Sequence, residues 1–503
     1  MFCRPGGQPP GDGAQQETFG GGLPLPFRGT NIVWVCLEHP AVALRRDIEP
    51  FFAPRAVAVV GASRTPGKIG HEILRNIKLS GFRGNIFPVN PNYGSVLDLP
   101  CYRTLADVPS DVDLALIAVP AKLVEGVVGD CVRKRVKSTI IITSGFSEVG
   151  RRDLEDRLVS MAKGKMRIIG PNTFGVYCAR SSMNATFGPT KVLEGKTAFI
   201  TQSGALGLAL MDWTTEEKYG VSAIVSIGNK ADVDDADLVE YFADDPSTSS
   251  ILIYMEGLKD GRRFFEAARR AVRRKPMVVI KAGRSARGAQ AASSHTGSIA
   301  GQDAIFAAAF QQAGAMRAEG MTQAFDWIQA LNENPVPKGE NVVVVTNGGG
   351  LGVLSTDRCE MLGLKLMDLS DDLTKQVQDV TPSFGSAKNP IDLTANADDL
   401  LYGEVLRLIM RRREVDAVIA LFCQTANIDP GLVARAIVDA RDKEGLDKPI
   451  TAAFVGGRMS QMAYEKMLER RFAAYPTAER AVDGMNALMT RHRQLKSFGK
   501  GGR

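Results

Sequence analysis

Apolar and polar positions along this chain form a repeated pattern: a short apolar run, a turn of small residues, and a stretch with helical spacing. The first block has an apolar run at residues 56–60, the turn Gly61-Ala62-Ser63, and a helical stretch at residues 72–79. Continuous apolar strands that alternate with helices are typical of a parallel sheet covered on both faces. The pattern therefore predicts an α/β fold.

The block begins again at residues 196–201 and 341–346, each time before a glycine-containing turn. The other predicted strands lie at residues 85–89, 114–119, 138–143, 223–227, 251–255, 277–281, 417–421 and 450–454. This spacing predicts three consecutive domains with open parallel sheets, at residues 46–172, 173–335 and 336–495. Residues 1–45 are rich in Gly and Pro, with little to bury, so we expect a disordered extension.

Composition narrows the class of protein. Hydrophobic residues make up 44% and charged residues 23% of the 503 positions, and the net charge is +6. Apolar runs fall short of the ~20 residues of a membrane-spanning helix, and the arginine-rich stretch at residues 262–274 lacks aromatic residues that would stack on bases. The 7 cysteines form no Cys-x-x-Cys pair, which disfavours disulfides and structural zinc and suits a reducing cytoplasm. We therefore predict that this chain does not span a membrane, does not bind nucleic acid and does not carry a set of metal ligands.

His295 is the leading candidate for imidazole chemistry among the 4 histidines. It lies in the segment Ala291-Ala292-Ser293-Ser294-His295-Thr296-Gly297, where every neighbour is small or hydroxylated. Such a loop leaves a ring nitrogen uncovered and places hydroxyl and backbone N–H groups beside whatever reacts there. An exposed loop histidine without a catalytic role is the alternative interpretation.

The turn after the first strand has the composition of a site for a nucleotide phosphate. Gly61, Gly67 and Gly70 allow close backbone approach, the following helix offers N–H groups and a positive dipole end, and Lys68 adds a mobile charge. Glycines that only close a tight turn are the alternative. Asn90 and its neighbours stand where a nicotinamide dinucleotide needs an acidic ribose ligand, which disfavours that cofactor.

The second and third turns, Ser203-Gly204-Ala205 and Gly348-Gly349-Gly350, each place small residues at a helix start and leave N–H groups for an anion. An ordinary close-packed turn is the alternative for each. Together with His295, they suggest one phosphoryl group handled between two helix starts and an imidazole. Glu256 follows a predicted strand, at the edge where open α/β sheets bind ligands, and would either orient that imidazole or cap the next turn.

Eight motifs follow one another in a fixed order. They are Val59-Val60-Gly61-Ala62-Ser63, Val89-Asn90-Pro91, Ile168-Ile169-Gly170-Pro171-Asn172, Gln202-Ser203-Gly204, Ser226-Ile227-Gly228-Asn229, Ser293-Ser294-His295-Thr296-Gly297, Thr346-Asn347-Gly348-Gly349 and Asn389-Pro390-Ile391-Asp392-Leu393. With these motifs the chain resembles, from about residue 47 to residue 491, the α subunit of NDP-forming acyl-CoA synthetases. Within these synthetases the chain resembles the acetate–CoA ligase (ADP-forming) type, which is related to succinyl-CoA synthetase.

The resemblance implies a Rossmann-like CoA-binding domain followed by two flavodoxin-like CoA-ligase domains. The family's CoA site maps onto Gly61, Ser63, Gly67, Lys68, Ile69, Asn90, Val119, Pro120, Thr143, Ser144 and Gly145. The resemblance makes His295 the carrier of the phosphoryl group and Glu256 the carboxylate that steadies it. The helix starts at Ser203-Gly204-Ala205 and Gly348-Gly349-Gly350 would hold phosphate from opposite sides.

The implied reaction is reversible: acyl-CoA, phosphate and ADP give a carboxylic acid, CoA and ATP through an acyl phosphate and a phosphohistidine. The sequence contains neither an ATP-grasp domain nor a P-loop. We therefore expect a separate ATP-grasp β subunit to bind ATP/ADP with Mg²⁺, in an α2β2 assembly by family precedent. Leu208 stands where succinate-using relatives have a tyrosine, which suggests a less polar acyl pocket and leaves the acid open.

Two alternatives come from other classes of protein. A CoA-sensing regulatory module without catalytic turnover would use the same CoA-binding domain, yet His295 and Glu256 are both retained. A nicotinamide-dependent dehydrogenase would use the first domain alone and leaves two domains unexplained. The sequence favours the synthetase.

Overall fold

Three β-sheets follow one another in the computed structural model, which describes residues 47–290, 302–444 and 447–500. The extension predicted at residues 1–45 lies outside the described residues. Short 3-10 helices lie at Glu49–Phe51, Leu105–Asp107, Ser147–Val149 and Ala179–Ser181. Among the described helices, none is both long enough and apolar enough to cross a bilayer.

The first sheet is parallel throughout. Its strands are β1 (Ala56–Val60), β2 (Asn85–Val89), β5 (Leu114–Ile117), β6 (Ser138–Ile141) and β7 (Arg167–Ile169), and a small hairpin of β3 (Ser95–Val96) and β4 (Leu99–Pro100) stands apart. The flanking helices are α1 (Ile69–Leu79), α2 (Ala121–Lys134) and α3 (Arg152–Ala162). The strand order is β2-β1-β5-β6-β7. Because the chain leaves β1 towards β2 and returns to its other side at β5, the carboxyl ends of β1 and β5 border the crevice where such sheets bind ligands.

The second sheet adds an antiparallel hairpin to a parallel core. Its strands are β8 (Gly175–Cys178), β9 (Met183–Thr186), β10 (Glu194–Thr201), β11 (Val221–Ser226), β12 (Ser250–Met255), β13 (Met277–Lys281) and β14 (Met316–Ala318), in the order β14-β13-β12-β10-β11-β8-β9. Its helices are α4 (Gly204–Glu216), α5 (Asp235–Asp244), α6 (Gly261–Arg274), α7 (Asp303–Ala313) and α8 (Met321–Glu333). Strands β8 and β9 pair antiparallel at one edge, which the sequence pattern does not predict.

The third sheet repeats the parallel arrangement. Its strands are β15 (Asn341–Thr346), β16 (Lys365–Leu366), β17 (Ile391–Asp392), β18 (Ala417–Cys423), β19 (Ile450–Val455) and β20 (Ala474–Tyr475), in the order β16-β15-β18-β19-β20 with β17 also on β15. Its helices are α9 (Gly349–Met361), α10 (Asp371–Val380), α11 (Asp399–Met410), α12 (Pro430–Glu444), α13 (Arg458–Glu469) and α14 (Ala478–Lys500). The α/β fold with three mostly parallel sheets is confirmed.

Buried polar contacts hold the sheets to one another. Between the second and third sheets, Arg480 Nε and Nη2 donate to the two carboxylate oxygens of Asp326 at 2.8 and 2.7 Å. Between the first and second sheets, Asn229 Nδ2 donates to Glu148 Oε2 at 2.6 Å and to Glu155 Oε2 at 3.0 Å. Because these partners are buried or half-buried, the contacts fix how the edges of the first two sheets face each other.

Candidate functional site

Gly61 and Gly70 let helix α1 close onto the end of strand β1. Gly61 has a φ of +96°, and a Cβ on it would lie 2.3 Å from the carbonyl oxygen of Ala118. A Cβ on Gly70 would lie 2.0 Å from the carbonyl oxygen of Gly61. A larger residue at Gly70 would therefore push the helix start away from β1, and one at Gly61 would collide with the chain just after β5. These two glycines serve the packing of the turn, whatever else they contact.

The rest of the first turn is shaped by its own side chains. The Gly67 N–H donates to Glu72 Oε1 at 2.8 Å, and the Thr65 N–H donates to Ser63 Oγ at 3.1 Å. Lys68 is exposed at the N-cap position of α1, so its ammonium group can meet an anion beside the helix start. Sequence reasoning missed Glu72, although an acidic residue in the first turn of a helix is a recognisable cap signal.

Two of the predicted CoA residues, Asn90 and Thr143, brace neighbouring loops. Asn90 Nδ2 donates to the carbonyl oxygen of Ala62 at 2.8 Å, which ties the end of β2 to the first turn. Thr143 Oγ1 donates to the carbonyl oxygen of Val119 at 2.7 Å, and Pro120 is the N-cap of α2. Side-chain hydrogen bonds thus join the loop after β2 to the loop after β1, and the loop after β6 to the loop after β5.

Gly145 is connected to the second domain through Glu148. The Gly145 N–H donates to Glu148 Oε1 at 2.5 Å, and Asn229 Nδ2 donates to Glu148 Oε2 at 2.6 Å. Burial by itself would raise the pKa of the Glu148 carboxyl, but these hydrogen bonds outweigh it and hold the pKa below its usual range. Glu148 is therefore a charged link between the two domains.

A cleft of about 610 Å³ opens between the first and second domains. Predicted site residues from both domains line it: Ile69, Val119, Thr143, Ser144, Gly204 and Ala205. Leu208 lines it too, as does Gln202 of the Gln202-Ser203-Gly204 motif. Phe174 and Phe187 also line it, and sequence reasoning did not single these two out. The volume lies in the range usual for small-molecule sites. The fold thus brings four of the predicted CoA residues and two of the predicted phosphate residues to one cleft.

The described residues that line this cleft are uncharged. Of the described residues that line it, none carries a formal charge, and the polar groups come from hydroxyl and amide side chains and from a helix start. The apolar part has residues from both domains: Ile69, Ala118, Val119 and Ile142 from the first, and Phe174, Phe187, Ala205 and Leu208 from the second. This part suits an apolar group, while an anion would be held by backbone N–H groups.

Helix α4 presents its first residues, Gly204 and Ala205, to the cleft. Thr201 Oγ1 shapes the turn, since it donates to the Ser203 carbonyl oxygen at 3.0 Å and accepts from the Ser203 N–H at 3.1 Å. Ser203 Oγ accepts from the Leu206 N–H at 3.3 Å, as a helix N-cap does. Inside the described ranges the N–H groups of Gly204 and Ala205 have no acceptor, so this helix start can bind an anion.

Glu256 is buried directly after strand β12, with 8% of its surface exposed. Its N–H and that of Gly257 both donate to Gln202 Oε1, at 2.8 and 3.0 Å. Lys281 Nζ donates to the Glu256 carbonyl oxygen at 2.9 Å, and burial lowers the pKa of this lysine. The backbone of Glu256 is therefore fixed by side chains from strand ends on both sides of β12.

The same network continues beneath Gln202. Gln202 Nε2 donates to Asp235 Oδ1 at 3.0 Å and to the Gly257 carbonyl oxygen at 2.8 Å, and Lys230 Nζ donates to Asp235 Oδ2 at 2.8 Å. Sequence reasoning missed this network. The position of Gln202, directly after an apolar strand, was an available signal, because polar residues at carboxyl ends of parallel strands face ligand sites.

The third turn repeats the geometry of the second. Thr346 Oγ1 donates to the Gly348 carbonyl oxygen at 3.1 Å and accepts from the Gly348 N–H at 3.0 Å. Asn347 exchanges hydrogen bonds with the backbone of Cys423, as Gln202 does with Glu256 and Gly257. Among the described residues that line the cleft, however, none belongs to this turn. Gly349 instead faces Asp392, whose Oδ2 would lie 3.0 Å from a Cβ on that glycine.

His295 lies outside the described residues, within the gap at 291–301. The described residues continue at 302, and in α7 Asp303 pairs with Arg317. Groups of three or more potential metal ligands are absent from the described part of the chain.

Family models match each of the three sheet regions. The model described as a CoA binding domain matches residues 55–179, the succinyl-CoA ligase like flavodoxin domain matches residues 194–331, and the Ligase-CoA domain matches residues 342–497. The three matches follow the order of the three sheets.

Known proteins resemble the chain over most of its length. The acetate–CoA ligase [ADP-forming] I subunit alpha of Pyrococcus furiosus is 48% identical over 449 residues, which is 88% of this chain and 97% of that protein. The acetate–CoA ligase [ADP-forming] I of Archaeoglobus fulgidus is 38% identical over 82% of this chain but only 58% of its own length.

A solved structure is similar to the chain in both sequence and fold. The dinucleotide forming acetyl-coenzyme A synthetase 1 of Ca. Korarchaeum cryptofilum, solved in complex with phosphate and ADP, is 47% identical and superposes with a TM-score of 0.88. The match covers 91% of this chain and 99% of that one. Sequence, domain order and fold agree, and the chain belongs to the α subunits of the ADP-forming acyl-CoA synthetases, the family of acetate–CoA ligase (ADP-forming).

Proposed function

We propose that the cleft between the first two domains is the active site at which this α subunit interconverts acyl-CoA and acyl phosphate. One observation carries the proposal: the predicted CoA residues Val119 and Ser144 and the predicted phosphate residues Gly204 and Ala205 line the same cleft. A thioester carbonyl and an incoming phosphate can therefore meet there.

CoA binds at the carboxyl edge of the first sheet in this proposal. Its phosphates lie at the first turn, where Gly67 is open to solvent and Lys68 supplies positive charge. The thiol arm passes Ile69, Val119 and Ser144. The other predicted residues, Gly61, Ser63, Asn90, Pro120, Thr143 and Gly145, shape the loops that the cofactor contacts.

The reaction follows from this placement. Phosphate held at the start of α4 attacks the thioester carbonyl; a C–O bond forms, the C–S bond breaks, and CoA leaves as a thiol after protonation. A ring nitrogen of His295 then attacks phosphorus, and the P–O bond to the acyl group breaks to release the carboxylate. Finally a terminal oxygen of ADP takes the phosphoryl group from His295 and yields ATP.

Glu256 orients His295 in this proposal. A carboxylate that accepts a hydrogen bond from one ring nitrogen fixes the tautomer and leaves the other nitrogen nucleophilic. The network of Gln202 and Lys281 supports this role because it fixes the backbone of Glu256. The third turn, Gly348-Gly349-Gly350, offers a second helix start to the same phosphoryl group, and its likeness to the second turn supports this.

A separate ATP-grasp β subunit completes the cycle, in an α2β2 assembly, and binds ADP or ATP with Mg²⁺. The longer relative from Archaeoglobus fulgidus, of which this chain covers 58%, supports a further nucleotide-binding part. We place the enzyme in the cytoplasm, since Cys101, Cys131, Cys178, Cys359 and Cys423 are free. We also propose domain boundaries at 46–172, 173–335 and 336–495, supported by the ends of the three sheets.

The two alternative functions lose support. A regulatory module has no need for the buried network behind Glu256, and the relatives are named as ligases. A dehydrogenase would need an acidic residue near Asn90, whose amide instead holds the Ala62 carbonyl oxygen.

Labelled ATP tests the proposal. With the full chain, a purified ATP-grasp partner, and terminally labelled ATP, we expect an acid-labile, base-stable label that is lost in His295→Ala. His492→Gln is the matched control, because His492 contacts the Pro337 carbonyl oxygen far from the cleft and should keep the label. Glu256→Gln should be phosphorylated more slowly with its fold intact. A label that persists in His295→Ala would refute the phosphohistidine.

A further inference from the structure

The cleft has one wall that comes from a loop rather than from a helix or strand end. This Phe187 loop, residues 187–190, joins β9 to the approach of β10, and Phe187 lines the cleft beside Leu208. Its ring also packs against the buried cores on both sides. A ring in this position limits the space next to the start of α4.

Asn76 of helix α1 holds the Phe187 loop from the first domain. Its side chain is fully buried, and Nδ2 donates to the carbonyl oxygens of Thr186 at 2.9 Å and Gly188 at 2.8 Å. Its Oδ1 accepts from Thr190 Oγ1 at 3.0 Å. One buried amide therefore fixes the backbone on both sides of Phe187.

The second domain holds the loop from the other side. A Cβ on Gly188 would lie 2.7 Å from Leu208 Cδ2 and 3.1 Å from Met211 Sδ, so the loop is pressed against α4. Asn184 Nδ2 also donates to the Pro189 carbonyl oxygen at 2.9 Å. The loop therefore has little freedom to move Phe187 out of the cleft.

We propose that Phe187 determines the size of the acyl group and that Asn76 is the positioning residue that keeps it in place. The inference rests on the proposed function, because it takes the cleft to be the acyl site. Helix α1 begins with Ile69, which also lines the cleft, and follows the CoA-binding turn. Asn76 thus connects the element that binds CoA to the wall that limits the acid.

The lining also indicates the class of acid. The acyl end of the cleft is bordered by Phe174, Phe187 and Leu208, and no charged side chain lines the cleft among the described residues. A second carboxylate on the substrate would lose its hydration without gaining a cation, which is strongly unfavourable. This end of the cleft therefore suits an uncharged acyl tail, whose bulk the Phe187 ring limits.

Binding of CoA thioesters tests the inference without turnover. The full chain with its partner subunit is titrated, without phosphate or ADP, with CoA, acetyl-CoA and phenylacetyl-CoA. In Phe187→Ala and in Asn76→Ala we expect the ratio of Kd for phenylacetyl-CoA to Kd for acetyl-CoA to fall by about tenfold, with the Kd for CoA nearly unchanged. Asn332→Ala is the matched control: Asn332 donates to Thr197 near the opposite end of β10, and this variant should keep the wild-type ratio.

The outcomes distinguish failure of the proposed function from failure of the inference about Phe187 and Asn76. Wild-type protein that binds no CoA thioester overturns the proposed function and this inference with it. Wild-type binding with an unchanged ratio in Phe187→Ala overturns the inference alone. A shift in Phe187→Ala but not in Asn76→Ala removes the positioning role. Should Asn76→Ala fail to fold, Thr190→Val deletes only the hydroxyl that donates to Asn76 and must shift the ratio in the same direction.

Discussion

Replacing Gln202 with Met removes the side chain that fixes the backbone beside Glu256. Gln202 Oε1 accepts from the N–H groups of Glu256 and Gly257, and Nε2 donates to Asp235 Oδ1 and to the Gly257 carbonyl oxygen. Met has a similar length but no polar atoms that replace these bonds. At about 1 kcal/mol for each of four lost hydrogen bonds, the free energy of local opening falls by about 4 kcal/mol, because the partners stay buried.

Native-state hydrogen exchange measures this effect directly, since a chain of several domains does not unfold in one step. A loss of about 4 kcal/mol corresponds to exchange about a thousandfold faster at the amides of Glu256 and Gly257. Asn347→Leu is the matched comparison in the third domain. Asn347 makes two such bonds, with Cys423, so exchange there should accelerate only about thirtyfold.

Comparing Gln202→Met with Asn347→Leu decides whether hydrogen bonds or side-chain packing protect the backbone amides from exchange. Unchanged protection at Glu256 in Gln202→Met would show that this network does not hold the backbone. Equal acceleration at the two sites would show that loss of side-chain packing, and not the number of hydrogen bonds, sets the cost.

Two further predictions concern the cleft and its borders. In Gly207→Ala, the new Cβ would lie 2.3 Å from the Phe174 ring. This overpacking should lower the free energy of unfolding by about 1–3 kcal/mol and weaken the binding of acyl-CoA. An unchanged Tm and an unchanged Kd for acyl-CoA would contradict this packing. For Glu148, hydrogen bonds from Gly145 and Asn229 hold the pKa of the carboxyl below its usual range in the folded protein. The charged carboxylate therefore stabilises the fold above the pKa of the unfolded chain, and this stabilisation is lost as the pH falls through the lower pKa of the folded state. Glu148→Gln should therefore have a lower Tm than wild type near pH 7, with a gap that narrows below about pH 4, and a gap independent of pH would contradict this.

Local pattern alone located most of the framework. The strands at Ala56–Val60, Asn85–Val89, Met277–Lys281 and Asn341–Thr346 begin and end where the apolar runs predict. The run at residues 114–119 predicts two residues too many, because Ala118 and Val119 leave the sheet to line the cleft. Strands β8 and β9 escape prediction, since β8 has only four residues and the buried polar residues Asn184 and Thr186 interrupt the apolar pattern of β9. The carbonyl oxygen of Thr186 accepts from the distant Asn76.

The sequence by itself determined the α/β class and the order of three sheets, because strand length, glycine turns and motif order are local properties of the chain. The chemical roles of His295 and Glu256 stay predictions from the motifs. The tertiary structure alone decided that Val119 and Ser144 face Gly204 and Ala205, and that a buried amide on α1 holds Phe187 in place. Those facts depend on contacts between segments about a hundred residues apart, which arise only when the two domains pack together and bury the polar groups that join them.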